Sequence, residues 1–325
     1  MSQSIDTVSS VGAVWPPIVS SNERLKGFYD NPVVTEGSLD TFINDFTSYI
    51  AKAEDGAETS RLSIRLVANS GALAVLNSAG INVEGALPIR GQDELLMVYT
   101  AWNSHERTVP DTTLEQHGQL LGNIAANATA GFDAVAKLTE QGFSPQVVDR
   151  TTSTITKQSL IPKFTELYSV FGYDEADVET IFNNPNNTVA YVEDAEGIVS
   201  TVMAERAIIP LEDFGNLEVV EITEAITRPS ARGRGLYAGV SGFLTGSIMA
   251  DSGNLPHIIY GESNLAAPGV LKAAHSNGRR FNHLDASTHN HKALGFGILQ
   301  QSFKVEDGTE QRAFNDFALT YIPLD

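Results

Sequence analysis

"TRPSARGRGLYAGVSGFL", Thr227 to Leu244, joins a strand-like run to a helix-like one, and its reading decides the fold. Upstream, "LEVVEITEAIT" (Leu217 to Thr227) reads as a strand. Pro229 has no N–H to donate and a fixed φ, so the ladder stops there and the chain turns. Downstream, Leu236, Val240, Phe243, Leu244 and Ile248 recur at helical spacing and give a helix one face to pack on a sheet. Between the two, Gly233 and Gly235 remove side chains where backbone N–H groups could converge, and the helix beginning near Leu236 adds the positive end of its dipole. Arg232 and Arg234 add charge. The pattern suits a phosphate guest; the same residues also suit a solvent-exposed Arg-Gly turn.

Working outward, the C-terminal half reads as helices near Pro162 to Phe171 and Glu175 to Asn183, then a hairpin of "TVAYVED" and "IVSTVMAERAII" turning at Ala195 to Gly197. After the opening motif come a strand "HIIYGES", a helix "APGVLKAAHSNG" closed by Gly278, and a final strand pair "FGILQQSFKV" and "DFALTYIPL". In the N-terminal half, a helix over Leu39 to Lys52 precedes "RLSIRLV" (Arg61 to Val67), which alternates as a half-buried strand should, with Leu62, Ile64 and Leu66 on one face. A short helix ending at Gly80 and a strand from Ile81 to Ile89 complete a strand, helix, strand unit. Leu114 to Gly142 reads as Ala-rich helix, Ser144 to Leu160 as a connector or extended strand, and residues 1 to about 25 as a loosely ordered lead-in.

The expected fold is α/β (α+β): a C-terminal module over residues 148–325 with a mixed, mostly antiparallel sheet flanked by helices, and an N-terminal α/β module over residues 1–147. Forty acidic against twenty-one basic residues give a net charge of −19, which repels phosphate backbones and anionic membrane surfaces, so nucleic acid is excluded as a partner. The chain has no cysteine, which removes disulfides, thiolate metal sites and cysteine nucleophiles. The N-terminal stretch has no basic region followed by an apolar run, and no stretch is long enough to span a bilayer; the expectation is a cytoplasmic protein with no membrane partner.

Arg232, Gly233, Arg234, Gly235, Leu236 and Tyr237 occupy the positions of Arg/Gln-x-x-Gly-x-Gly/Ala, and the chain thereby resembles the GNAT-type N-acetyltransferases, with "EITEAITRP" similar to the strand that precedes their acetyl-CoA loop. Tyr237 departs from the Gly or Ala usual at the sixth position. The resemblance runs from Val148 to Asp325, and "NSAGINVEGALPIRGQDELLMVYTAW" adds a looser likeness to beta-lysine N-acetyltransferases. It implies acetyl-CoA as acyl donor, bound by Ile226, Thr227, Arg232, Gly233, Arg234, Gly235, Leu236, Tyr237 and Asn264, and a small-molecule amine or amino acid as acceptor. It also implies that both halves belong to one enzyme; the related strand and helix pattern of the N-terminal module reads as a degenerate copy or a substrate-shaping lid. A donor with another acyl group, and a non-catalytic CoA-binding or sensing module, are the rival readings; the oligomeric state is left open.

In such a reaction the acceptor amine must lose a proton before it attacks. Glu224 is the expected base or water-holder, with Glu221 the second choice. Three apart on a regular strand, the two point to opposite faces, and a bulge would change that parity. Either also suits a solvated or salt-bridged strand carboxylate. The position at which the family often carries a tyrosine acid holds Ala274, so His275 or Tyr237 would have to take that role; His275 also suits a plain surface helix residue, and Asn264 a plain helix cap. His283, Asp285, His289 and His291 fall within nine residues but lack the spacing of a helical ligand pair, and no metal is expected.

Overall fold

The computed structural model describes residues 24–29, 33–56, 61–79, 81–103, 111–127, 133–211, 215–250, 255–265, 267–282, 296–304 and 310–324. Most of the expected lead-in and the cluster His283, Asp285, His289 and His291 lie outside the described residues.

Arg24–Phe28 (β1), Leu39–Gly56 (α1), Arg61–Asn69 (β2), Ser70–Ser78 (α2), Asn82–Ile89 (β3) and Gln92–Asn103 (β4) build a four-stranded sheet of order β1-β2-β4-β3. β1 pairs β2 in parallel and the other neighbours are antiparallel. On one face, Ile64 and Leu66 pack with Phe42 and Phe46 of α1 and Leu73 and Leu76 of α2. The opposite face of β2 was expected to meet water. It does not: Ser63, Arg65 and Val67 are all buried, because a second sheet lies over them.

That second sheet follows Asp111–Ala126 (α3) and Ala134–Glu140 (α4). It is built from Gln146–Val148 (β5), Asn187–Asp194 (β6), Gly197–Leu211 (β7), Gly215–Thr227 (β8), Ile258–Asn264 (β9), Arg280–Phe281 (β10), Phe296–Lys304 (β11) and Glu310–Ile322 (β12). Its order is β10-β12-β9-β8-β7-β6-β5, with β11 paired to β12. β8 and β9 are parallel and the remaining pairs antiparallel, which is the mixed, mostly antiparallel architecture expected. The flanking helices are Thr154–Tyr168 (α5), Glu175–Asn183 (α6), Leu236–Ala250 (α7) and Pro268–Ser276 (α8).

Alternation along the strands divides the second sheet into two buried faces. Val202, Ala204, Val220 and Ile222 pack under Leu236, Val240 and Leu244 of α7 and Leu138 of α4. On the other face, Met203 and Ile226 pack under Phe164 and Tyr168 of α5 and Phe182 of α6. Farther along that same face, Ile209, Leu217 and Val219 meet Val67, Met97 and Tyr99 of the first sheet. Each buried Val, Leu, Ile, Met or Phe side chain among them contributes roughly 1.5–3 kcal/mol relative to exposure. Two coverings, the α5–α6 pair and the first sheet, therefore share one face, and the seam between them falls over the middle of β7 and β8. Asn282 fastens the sheets together, donating to Ala86 O at 2.6 Å and accepting from Ala86 N at 3.1 Å.

Two expectations change. Ser144 to Leu160 is not a connector throughout: β5 ends at Val148, and α5 starts at Thr154 because the Ser153 side chain caps it, accepting from Thr156 N. The helix expected near Pro162 thus begins two turns earlier and carries Pro162 inside it, and its last residues tighten into a 3-10 turn at Ser169–Phe171. The helix expected from Leu114 to Gly142 is two, α3 and α4, the second capped by Asp133, which accepts from Ala136 N. α4 and β5 both join the second sheet.

Candidate active site

β8 supplies the centre. Glu221 lies opposite Glu205 of β7, but farther on Thr201 to Met203 of β7 face Thr223 to Ile226 of β8, one residue more on β8. The surplus makes a β-bulge, and Glu224 sits in it at φ 45°, a left-handed conformation that costs a non-glycine residue of order 1–3 kcal/mol. The extra residue restores parity: Glu221 and Glu224, which a regular strand would send to opposite faces, share the face of Glu205, over the seam.

Across β8 the strands part. Parallel pairing with β9 covers Val219, Val220 and Glu221 against Ile258, Ile259 and Tyr260, and stops there. At the next step a Cβ on Gly261 would stand 2.8 Å from Ile222 O and 2.9 Å from Arg279 Nη1, so only glycine lets the strands pass this closely before they diverge. β9 goes on to pair with β12, leaving the edge of β8 beyond Glu221 open to an extended guest.

The carboxylates have unlike surroundings. Glu224, half-buried, accepts from Tyr173 Oη at 2.9 Å; burial raises its pKa, the Tyr173 hydrogen bond offsets part of that, and the charge of Glu221 adds to it. Glu205 is reached by solvent yet enclosed by protein on most sides, as a side chain in a cleft is. Its pKa is pushed up to about 7 by desolvation first, then by Glu221 and Glu224, with Arg65 opposing. Glu221 is buried and doubly engaged: its Oε2 accepts from Tyr260 Oη at 2.8 Å and from Arg65 Nη2 at 3.1 Å. Burial and the Glu224 charge hold Tyr173 a neutral phenol, a hydrogen-bond donor, through the physiological range.

At its far end β8 runs into the opening loop. Arg228 is committed to the β6–β7 turn, reaching Asp194 and Glu196 at 3.4 and 3.3 Å and donating to Ile198 O at 2.9 Å. Arg232 Nε donates to Thr227 O at 3.3 Å, and the Arg234 guanidinium lies 5.1 Å from the Phe143 ring centroid. Gly233 and Gly235 take φ of 79° and 78°, which a side chain would resist. Among the described residues, the N–H groups of Gly233, Arg234 and Gly235 have no hydrogen-bond partner, and the first turn of α7 adds its own unpaired N–H groups. Leu236 anchors this end in the core. The result is a run of unpaired donors at the N-terminus of a helix anchored in the core, a place suited to an anion.

The other expected residues are spread around this frame. Ile226 is buried with α5 and α6, and Thr227 Oγ1 lies 2.9 Å from Ser200 Oγ. Tyr237 packs on Ala134, Ala238 and Ala273. Asn264 closes β9, its carbonyl accepting from Ala267 N at 3.1 Å. His275 Nδ1 lies 3.1 Å from Arg279 O, and its ring stacks on Phe281. Glu205, Tyr173, Tyr260, Tyr99 and Arg65 were not singled out from the sequence. Glu205 had one signal, a carboxylate interrupting the apolar run "STVMAERAII". Among the described residues, no group of three or more His, Asp or Glu side chains could hold a metal ion, and no helix is long and apolar enough to cross a membrane.

No family model matches the chain, and no curated protein matches it. Solved structures do. NAA60 of Arabidopsis thaliana in complex with acetyl-CoA aligns at 11% identity over 55% of this chain and 97% of its own, with a TM-score of 0.37. A spermidine N-acetyltransferase SpeG chimera from Vibrio cholerae and hSSAT aligns at 14% identity over 55% and 94%, TM-score 0.35. ElaA of Escherichia coli aligns at 10% identity over 55% and 98%, TM-score 0.33.

Proposed function

We propose that the chain is a GNAT-type N-acetyltransferase that moves an acetyl group from acetyl-CoA to the amine of a small molecule or amino acid. One observation carries the reading: a single strand, β8, ends in a loop of unpartnered N–H groups, parts from its neighbour, and holds a strained carboxylate beside the parting. Strain of that kind persists only where the surroundings enforce it, and it gathers at functional sites.

In this reading the N–H groups of Gly233, Arg234 and Gly235, with the Arg232 and Arg234 side chains, hold the pyrophosphate and other phosphate of the donor. The open edge of β8 beyond Glu221 offers backbone hydrogen bonds to an extended arm. Acetyl-CoA supplies an activated acyl group; the amine nitrogen forms a bond to the acyl carbon as the carbon–sulfur bond breaks and its electron pair leaves on sulfur. Glu224 takes the proton from the amine, directly or through a water. Burial raises its pKa above the usual carboxylate range, which makes its ionised form a stronger base. No protein acid is assigned to the thiolate: His275 and Tyr237 keep the contacts described above, and a thiol of pKa about 8.5 is an able leaving group without one. Orientation of the two reactants supplies much of the rest, up to roughly 7–11 kcal/mol.

The test is acetyl-CoA-dependent thiol release against a panel of primary amines, for the wild type and for Glu224→Gln. Turnover with at least one amine, lost on the order of a hundredfold in Glu224→Gln while acetyl-CoA still binds, supports the reading. No turnover with any amine, despite binding, favours a non-catalytic CoA-binding module instead.

A further inference from the structure

Glu221 and Glu205 face each other across β7 and β8, an arrangement in which two like charges destabilise a sheet. What relieves it comes from 156 residues away in the chain. Arg65, on the face of β2 turned toward the second sheet, is 3% exposed; its guanidinium lies 5.0 Å from the Tyr99 ring centroid and 5.2 Å from that of Tyr260. Held between those aromatic faces, it reaches Glu221 Oε2 at 3.1 Å and Glu262 Oε1 at 3.6 Å. Tyr260 completes the clamp by donating to the same oxygen of Glu221.

We propose that Arg65 is a positioning residue: a fixed positive charge delivered by the N-terminal sheet that holds Glu221 in place and determines how the neighbouring carboxylates, Glu205 and Glu224, share protons. The consequence for catalysis rests on the acetyltransferase reading; the effect on the carboxylates does not. An arginine is always charged and its planar fork is held by two rings, so the counter-charge is permanent and directional. Remove it, and Glu205 loses that counter-charge from among the titratable groups around it: Glu221 and Glu224 on β8, Glu262 and Tyr260 on β9, Tyr99 on β4, Tyr168 on α5 and Tyr173 beyond it. None of these groups is a cation. The first sheet is thereby part of the site's electrostatics, and the segment that carries the loop would not reproduce them alone.

The experiment is a pH titration, from about 4 to 9, of the full-length protein carrying carbon-13 at glutamate carboxyl groups, with resonances assigned by Glu205→Gln and Glu224→Gln. In Arg65→Met the Glu205 midpoint moves up by about half a unit or more, and in Arg65→Lys it returns part of the way, a point charge on a flexible stem being a poorer substitute for the fork. A midpoint in Arg65→Met that stays at the wild-type value overturns the proposal. If Arg65→Met does not fold, the comparison is Glu221→Gln against the double variant Arg65→Met, Glu221→Gln, in which the Glu221 charge is removed from both: a higher midpoint in the double variant supports the role of Arg65, and equal midpoints refute it. The titration needs neither acyl donor nor acceptor, so its outcome is separate from that of the thiol-release assay. Where turnover is measurable, the acid limb of kcat/KM follows the Glu224 midpoint, while acetyl-CoA affinity is unchanged.

Discussion

Tyr173 Oη donates to Glu224 Oε1 at 2.9 Å, tying the segment between α5 and α6 to the one non-glycine residue among those described that has a positive φ. The bond selects one side of the bulge for the Glu224 carboxylate. It also favours the ionised form, against the burial that raises its pKa.

Tyr173→Phe removes that donor, so the Glu224 pKa rises further. Hydrogen bonds to charged groups are worth roughly 1.5–3 kcal/mol, which corresponds to about one to two pH units. The acid limb of the kcat/KM profile is expected to move to higher pH by about that amount, with acetyl-CoA affinity unchanged. A profile that only drops in height, with no shift, would assign Tyr173 to packing alone.

Glu205 gives a stability prediction with a definite sign. Its native pKa, about 7, lies above the unfolded value of about 4.3, so between these limits the native state holds more protons than the unfolded state. Stability from this group is fully present below the lower limit and declines as pH rises through the window. Glu205→Gln is expected to remove that decline, giving a higher Tm than wild type near pH 8 and a smaller difference near pH 5, measured by thermal melts at matched ionic strength.

Gly261→Ala tests the close passage of β8 and β9. The new methyl would meet backbone, the Ile222 carbonyl, as well as a buried guanidinium, and neither gives way cheaply. A loss of about 1–3 kcal/mol is expected from urea denaturation, with the slope unchanged and the midpoint lowered. A variant as stable as wild type would mean that the two strands separate more easily than their packing implies.

Strands and helices were legible where one face alone decides them. Val178 and Phe182 of α6, Leu236, Val240 and Leu244 of α7, and the run Leu217–Thr227 of β8 alternate or repeat as their packing requires, and all fell where expected. α5 was shortened in the reading because Pro162 is a favoured first residue of a helix, whereas the true start depends on Ser153 capping a run of β-branched and polar residues that looks extended. The bulge was foreseen only as a possibility that would alter parity, since nothing in "EITEAIT" distinguishes a regular strand from one with a residue to spare. Arg65 was beyond reach for a different reason. In "RLSIRLV" it occupies the polar phase of an alternating strand, which normally faces water, and only the arrival of a second sheet from far along the chain turns that face into an interior.

The central claim is that the loop from Arg232 to Gly235 receives the phosphates of an acyl-CoA. Calorimetric titration of the purified protein with acetyl-CoA and with CoA, beside the double variant Arg232→Ala, Arg234→Ala, tests it most directly. Micromolar binding of both ligands, weakened about tenfold or more in the variant, is the predicted result, since charge-assisted contacts of this kind are worth roughly 1.5–3 kcal/mol each. No binding of either ligand to the wild type would contradict the account and leave the loop a solvated turn before a packed helix.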